Sequence, residues 1–324
     1  MKTLILHHDD CLRHEPGVHH PERPERVTAV LNALRDMPGL EWLPAPKATP
    51  EQILRVHDAD YWERLVESEP GPDDDLPAVL DPDTFMSQGS LNATLRGSGA
   101  ACFAVDQVCT GKARNAFCAV RPPGHHAETS VAMGFCLLNH VAVAARHVQS
   151  VHAAKRVAIL DFDVHHGNGT QDIFDASPDV MYISSHQIPL YPGTGYPHET
   201  GCGNVVNMPL SPGAGSGPFR EAWETRGLPA LDRFDPDFII VSAGFDAHRA
   251  DPLGEIELED EDFAWITEEI RGLAEQHCDG RIISVLEGGY DLAALASAAR
   301  AHVGALVAQV GRSGNIRDGD AGVV

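Results

Sequence analysis

The stretch Val157–Gly169, VAILDFDVHHGNG, decides how this chain is read. Its first four residues, Val157, Ala158, Ile159 and Leu160, form a short apolar run of the kind that makes a strand buried on both faces. Asp161, Asp163, His165 and His166 follow at once, and Gly167, Asn168 and Gly169 break the pattern before a helical stretch. Alternate residues of an extended segment share a face, so Asp161, Asp163 and His165 can act as a set. In an open α/β sheet, ligands bind just beyond the carboxyl ends of the strands. One aspartate or one histidine there would read as a satisfied loop residue. Two of each within six residues leave unpaired buried charge, which is costly, and a bound cation is the simplest compensation.

The same pattern recurs outward from this strand. Residues 116–120 read as a strand that ends in RPPGHHA, with the tandem pair His125 and His126. Residues 180–184 end at Ser185 and His186, residues 238–242 end in AGFDAH with Asp246, and residues 282–286 end in EGGYD with Tyr290. Residues 3–6 and 205–210 are further strand-like runs. Helical patterns fill the intervals, at 27–34, 48–65, 90–111, 138–148, 217–231, 259–276 and 292–310. Residues 67–83, rich in Pro, Gly and Asp, read as a surface loop. Strands alternating with helices predict one α/β domain over residues 1–324, with a mainly parallel sheet and helices on both faces. A frayed tail is expected from about residue 311. Candidate residues at four strand ends converge on one crevice in such a sheet.

Composition narrows the function. The 324 residues carry a formal net charge of -23, and no Lys/Arg cluster offers the phosphate-neutralising patch that nucleic acid requires. No apolar run is long enough to cross a bilayer, and the N-terminal MKTLILHHDD turns acidic too soon for a signal peptide. Seven scattered cysteines without a C-x-x-C pair fit reduced thiols in the cytoplasm.

The chemistry follows from the residue types. Asp163, His165 and Asp246 suit one divalent cation with an open position for water and substrate. Zinc is the first choice, and iron, cobalt or manganese also suit the carboxylates. Hydrolysis needs a base for the water and an acid for the leaving group, and His125 and His126 are placed to serve. Each needs a partner for its other ring nitrogen, with Asp161 and Asn168 as candidates. A carboxylate partner would raise one imidazole's pKa and an amide would not. Tyr290, on a glycine turn, can donate to a developing oxyanion.

HPERPER, RPPGHHA, GFC, DFDVHHGNGTQDIF, YPGTG, SAGFDAHRADPLGE and LEGGYD together resemble the histone deacetylase superfamily, from residue 20 to Tyr290. Asn168 and the Pro-Pro-Gly before His125 are similar to the class II branch, which includes bacterial deacetylase-like amidohydrolases and acetylpolyamine amidohydrolases. The resemblance implies an arginase-like α/β fold and a zinc-dependent deacetylase. It implies Asp163, His165 and Asp246 as zinc ligands, His126 as general base beside Asn168, His125 as its electrostatic partner on Asp161, and Tyr290 as the group that polarises the scissile carbonyl. Phe135 and Tyr191 are similar to the aromatics that wall the acyl-lysine channel, with Gly134 along it. Two potassium sites are also implied. One has the oxygens of Asp161, Asp163 and His165 with Ser184 and Ser185; the other has the carbonyls of Phe174, Ser177 and Val180.

The substrate implied is an N-acetylated lysine peptide or an acetylated polyamine. Leu253 stands where polyamine-specific relatives carry a glutamate gatekeeper, which favours the peptide. Asp81 and Asp83 could bond a substrate backbone or attract an ammonium group, and the acidic loops suit an oligomer interface equally well. A two-manganese ureohydrolase is disfavoured because His248 stands where its second-metal aspartate would be. A module that binds acetylated ligands without turnover is disfavoured because every catalytic residue type is present.

Overall fold

The computed structural model describes residues 1–71, 74 and 76–308, so the tail expected from about residue 311 lies outside the described residues. The chain opens with strand β1 (Thr3–His7), helix α1 (Glu25–Leu34) and strand β2 (Leu40–Pro44). The helical pattern over 48–65 is split into α2 (Pro50–Ile53) and α3 (Ala59–Glu67). Thr49 starts α2 with a reciprocal cap, its hydroxyl accepting from the Gln52 amide. A hairpin of β3 (Ala78–Asp81) and β4 (Thr84–Met86) precedes the long helix α4 (Ser90–Cys109).

The alternating units then follow. They are β5 (Asn115–Cys118), α5 (His140–His152), β6 (Val157–Asp161), α6 (Asn168–Phe174), β7 (Val180–Gln187) and β8 (Val205–Leu210). Helices α7 (Ser216–Ala222) and α8 (Leu228–Phe234) are joined by one wider turn at Trp223–Gly227. Strand β9 (Phe238–Ala243), α9 (Asp260–His277), β10 (Ile282–Leu286) and α10 (Leu292–Val307) complete the described chain.

Eight strands form one sheet in the order β2-β1-β5-β10-β9-β6-β7-β8. Every pairing in it is parallel. Strand β6 lies between β9 and β7, with Asp161 opposite Ser242 and Ser184. Its side chains alternate between two cores, as the two-residue period requires. Val157 and Ile159 pack with Ala100, Ala104, Val141 and Val148 of α4 and α5. Ala158 and Leu160 pack with Val27, Phe263, Ile266 and Val303 of α1, α9 and α10. The small residues of α4 let it approach closely, since a Cβ at Gly99 would collide with the backbone of Lys47 and Ala48.

Two elements escape the hydrophobic pattern. Edge strand β2 has no fully buried residue and so leaves no apolar run. The β3–β4 hairpin lies in and beside the expected surface loop, with strands too short for alternation to register.

Candidate active site

The strand ends meet as the parallel sheet requires. Beyond β6, Asp163 and His165 face Asp246, which follows β9. His165 Nδ1 lies 3.1 Å from Asp163 Oδ1 and 3.1 Å from Asp246 Oδ2. One ring nitrogen carries at most one proton, so it cannot donate to both carboxylates. Both aspartates are fully buried. Burial and the charge of Asp163 push the Asp246 carboxyl up to about 7, so the cluster is short of positive charge. The turn after β10 leaves room for it: a Cβ on Gly288 would collide with the Asp246 and Asp163 carboxylates. Two buried carboxylates and one imidazole aimed at a common point fit a divalent cation.

His125 and His126 follow β5, their ring centroids 4.0 Å apart. His125 Nδ1 bonds Asp161 Oδ2 at 3.0 Å. Burial disfavours its charged form, but Asp163 and Asp161 outweigh burial and push its pKa up to about 10. His126 Nδ1 bonds Asn168 Oδ1 at 2.8 Å, and Asn168 Nδ2 donates to Glu128 Oε1 at 2.8 Å. The amide is thereby oriented with its oxygen toward His126, so Nδ1 carries the proton and Nε2 is bare. Burial, then repulsion from His125 and His165, holds His126 well below the ordinary imidazole value. Adjacent histidines are thus driven in opposite directions: two carboxylates raise His125, while burial and the neighbouring imidazoles lower His126 against the small raising effect of its Asn168 bond.

Tyr290 stands across the site, its ring 5.9 Å from that of Phe135 and nearly perpendicular to it. Burial, opposed by Arg26 and aided by Asp246 and Asp163, holds its phenol well above the ordinary value, so it remains a proton donor. A cavity of about 240 Å³ is lined by His126, His165 and Tyr290 at its chemical end and by Gly134, Phe135, Tyr191, Leu190, Leu253 and Asp83 around it. All four residues expected along the channel therefore line one space. Gly134 has φ +55°, and a Cβ there would collide with the His126 ring.

Several supporting residues escaped the sequence reading. Arg26 is fully buried and lies 4.7 Å over the Tyr290 ring. It donates to the carbonyls of Gly289 and Glu287 and to Glu22, which also binds Arg121. Asp251 accepts the Tyr290 amide at 2.6 Å. Glu287 accepts the amides of Gly124 and His125, tying β10 to the histidine pair. Hydrophobic periodicity carries no signal for a buried charge; only the density of charged residues in HPERPER and HRADPLGE hinted at these roles. Thr84, on the hairpin, accepts the Phe135 amide at 3.0 Å.

Not every candidate joins the site. His166 turns away to Thr194 and Gln171, and His248 faces Asp260 at 3.6 Å. A second group, Asp106, His147 and His152, lies where α4 and α5 end. Arg55 and Gln52 can only donate to His147 Nδ1, so its Nε2 carries the proton that bonds Asp106 at 2.9 Å. A metal would need that nitrogen bare, so the group is already satisfied without one.

The two sets of oxygens expected to hold potassium differ. Among the described residues, no N–H or O–H donates to the carbonyls of Asp163 and His165. Nearby, Ser184 Oγ bonds His186, and Ser185 Oγ accepts from Trp223. The carbonyls of Phe174, Ser177 and Val180 instead all accept from the side-chain amide of Asn204.

Comparison with known proteins identifies the family. A histone deacetylase domain model matches residues 20–306. A probable deacetylase of Archaeoglobus fulgidus is 39% identical over 302 residues, covering 90% of this chain and 82% of that protein. A histone deacetylase-like amidohydrolase of Pseudomonas aeruginosa is 38% identical over 317 residues, covering 89% and 82%. The crystal structure of an HDA15 HD domain superposes with a TM-score of 0.88 at 35% identity, covering 94% of this chain and 88% of that one. With the domain matched along most of its length and the same fold in a solved relative, the chain belongs to the histone deacetylase family of metal-dependent deacetylases and amidohydrolases.

Proposed function

We propose that this protein hydrolyses the side-chain amide of acetyl-lysine in a peptide, in a site that holds one zinc ion at Asp163, His165 and Asp246. The observation that carries this reading is a single cavity with a bare imidazole, a protonated phenol and His165 at one end, where His165 joins Asp163 and Asp246, and aromatic walls at the other. A divalent ion bound there supplies Lewis-acid polarisation and acidifies water. The chain's own residues do the rest. His126, neutral with Nε2 free, takes the proton of the attacking water and returns it to the leaving nitrogen. His125, kept cationic by Asp161 and Asp163, balances the negative charge that grows beside it. Tyr290 donates its phenolic proton in a hydrogen bond to the carbonyl oxygen as charge develops there.

Phe135 and Tyr191 suit an unbranched alkyl chain. Gly134 keeps the space beside His126 open, and Asp83 at the wall suits a substrate N–H. Leu253 adds apolar surface where a free ammonium would need a carboxylate, which favours lysine over a polyamine. The open carbonyls of Asp163 and His165, with Asp161, Ser184 and Ser185, suit one structural potassium ion. Seven unpaired thiols suit a reducing compartment such as the cytoplasm. No described helix is long and apolar enough to cross a membrane.

The test is turnover of the zinc-loaded protein on an acetyl-lysine peptide, acetylputrescine and acetylspermidine, side by side. The peptide is expected to have the highest kcat/KM. A higher value for either polyamine would replace this reading with an acetylpolyamine amidohydrolase and direct attention to Asp83 and neighbouring Asp81.

A further inference from the structure

We infer that the side-chain amide of Asn204 replaces the second potassium ion of this fold, so that the chain keeps one structural cation site and has closed the other with its own nitrogen. The loop between α6 and β7 turns so that Ser177 N bonds Phe174 O at 2.9 Å and Val180 N bonds Ser177 O at 3.0 Å. A carbonyl oxygen has two lone pairs, so Phe174 and Ser177 each retain one. Asn204 Nδ2 meets the carbonyls of Phe174, Ser177 and Val180 at 2.8, 3.1 and 2.7 Å. An amide nitrogen has two protons. Three carbonyls around it are one acceptor more than it can serve singly, an arrangement suited to a cation.

The orientation of this amide is settled by its other end. Asn204 Oδ1 accepts from Cys202 N at 3.2 Å and from Cys202 Sγ at 3.3 Å. Exchanging the two ends would set an oxygen among three carbonyl oxygens and a nitrogen against two donors. Asn204 is 4% exposed, and its own carbonyl accepts from Tyr182 N at 2.9 Å, which fixes it to β7. Arg146 of α5 packs on the loop and pairs with its Asp179 carboxylate at 3.8 Å. Arg146 donates to Ser177 Oγ at 2.8 Å and lies 4.8 Å over the Phe174 ring. A cation entering here would have to displace a buried, fully bonded amide. The carbonyls of Asp163 and His165 present no such obstacle.

The inference does not depend on which acetylated amine is the substrate. Rubidium reports it directly, because it takes potassium sites and its anomalous scattering locates it. Crystals of the full-length protein grown in rubidium chloride are expected to show no rubidium among Phe174, Ser177 and Val180. Crystals of Asn204→Ala are expected to show it there, and the thermal midpoint of that variant is expected to rise with potassium against a choline background more steeply than the wild type's. Rubidium among these carbonyls in the wild type, with Asn204 swung aside, would overturn the inference. So would a folded Asn204→Ala that binds no rubidium there. Asn204→Ser, which shortens the side chain and keeps a hydroxyl, provides the same comparison if the alanine variant does not fold.

Discussion

At the scale of single residues, the proposed reaction uses two side chains that line the cavity, one to give a proton and one to take it. Tyr290 is a donor whose proton is secured by burial. Tyr290→Phe is expected to reduce kcat by about 10²–10³, the effect of losing one oxyanion donor, while zinc content stays unchanged. Steady-state kinetics with metal analysis on the same sample checks both halves. His126, the proposed base, has its Nδ1 against an amide and not a carboxylate. Asn168→Asp would place a negative charge against that ring and favour its imidazolium. The acid limb of the kcat/KM profile is then expected to move to higher pH, since more alkaline solution is needed to free Nε2; an unmoved limb would exclude His126 as the base. The two imidazoles, their candidate partners and the phenol were legible from their positions after apolar runs. Which partner each imidazole takes came from the family resemblance alone, because it depends on side-chain directions that spacing leaves open; the structure pairs His125 with Asp161 and His126 with Asn168. Arg26, Asp251 and Glu287 were illegible in their roles for a related reason: each acts on backbone groups far away in sequence.

At the scale of elements, function resides where strands stop. Strands β5, β6, β9 and β10 are wholly buried, so their apolar runs stand out in the sequence and their ends could be located within a residue or two. The edge strand β2 and the β3–β4 hairpin were not legible, because a half-exposed strand and two very short ones carry no apolar run. That omission touches the site, since the hairpin brings Asp83 to the cavity wall and Thr84 to the Phe135 amide. The turn after β10 makes an element-scale test. Gly288 allows its backbone to pass between Asp163 and Asp246, and its amide donates to Asp163 Oδ2 at 2.8 Å. Gly288→Ala is expected to lose most of its bound metal with far-UV circular dichroism preserved, as measured by metal stoichiometry after desalting. A variant that retains one metal per chain would show that the two carboxylates can separate without losing the ion.

At the scale of the whole molecule, the histidines set the response to acid. His57, His140 and His186 are held at about 4 and His166 and His302 at about 3, burial being the leading cause in each. In the unfolded chain a histidine titrates near 6.5. Their contribution to stability is therefore complete above about 6.5 and is lost as pH falls toward 4, because the unfolded chain takes up protons that the folded chain refuses. Each costs the fold up to about 1.4 kcal/mol per pH unit through that window. The buried carboxyls of Asp246 and Glu287, held up at about 7, act the other way in the same window but are fewer than these five rings. Thermal melts are therefore expected to show a midpoint that falls between pH 6.5 and 4; a flat midpoint would mean that the rings do not stay neutral in the fold. The proposed reaction requires a metal held by Asp163, His165 and Asp246. The most direct measurement removes the metal by dialysis against a chelator and follows release of acetate from an acetyl-lysine peptide while zinc is added back. Activity is expected to vanish on stripping and return in full at one zinc per chain. Undiminished activity in the stripped protein, or recovery that requires two metals per chain, would contradict the account.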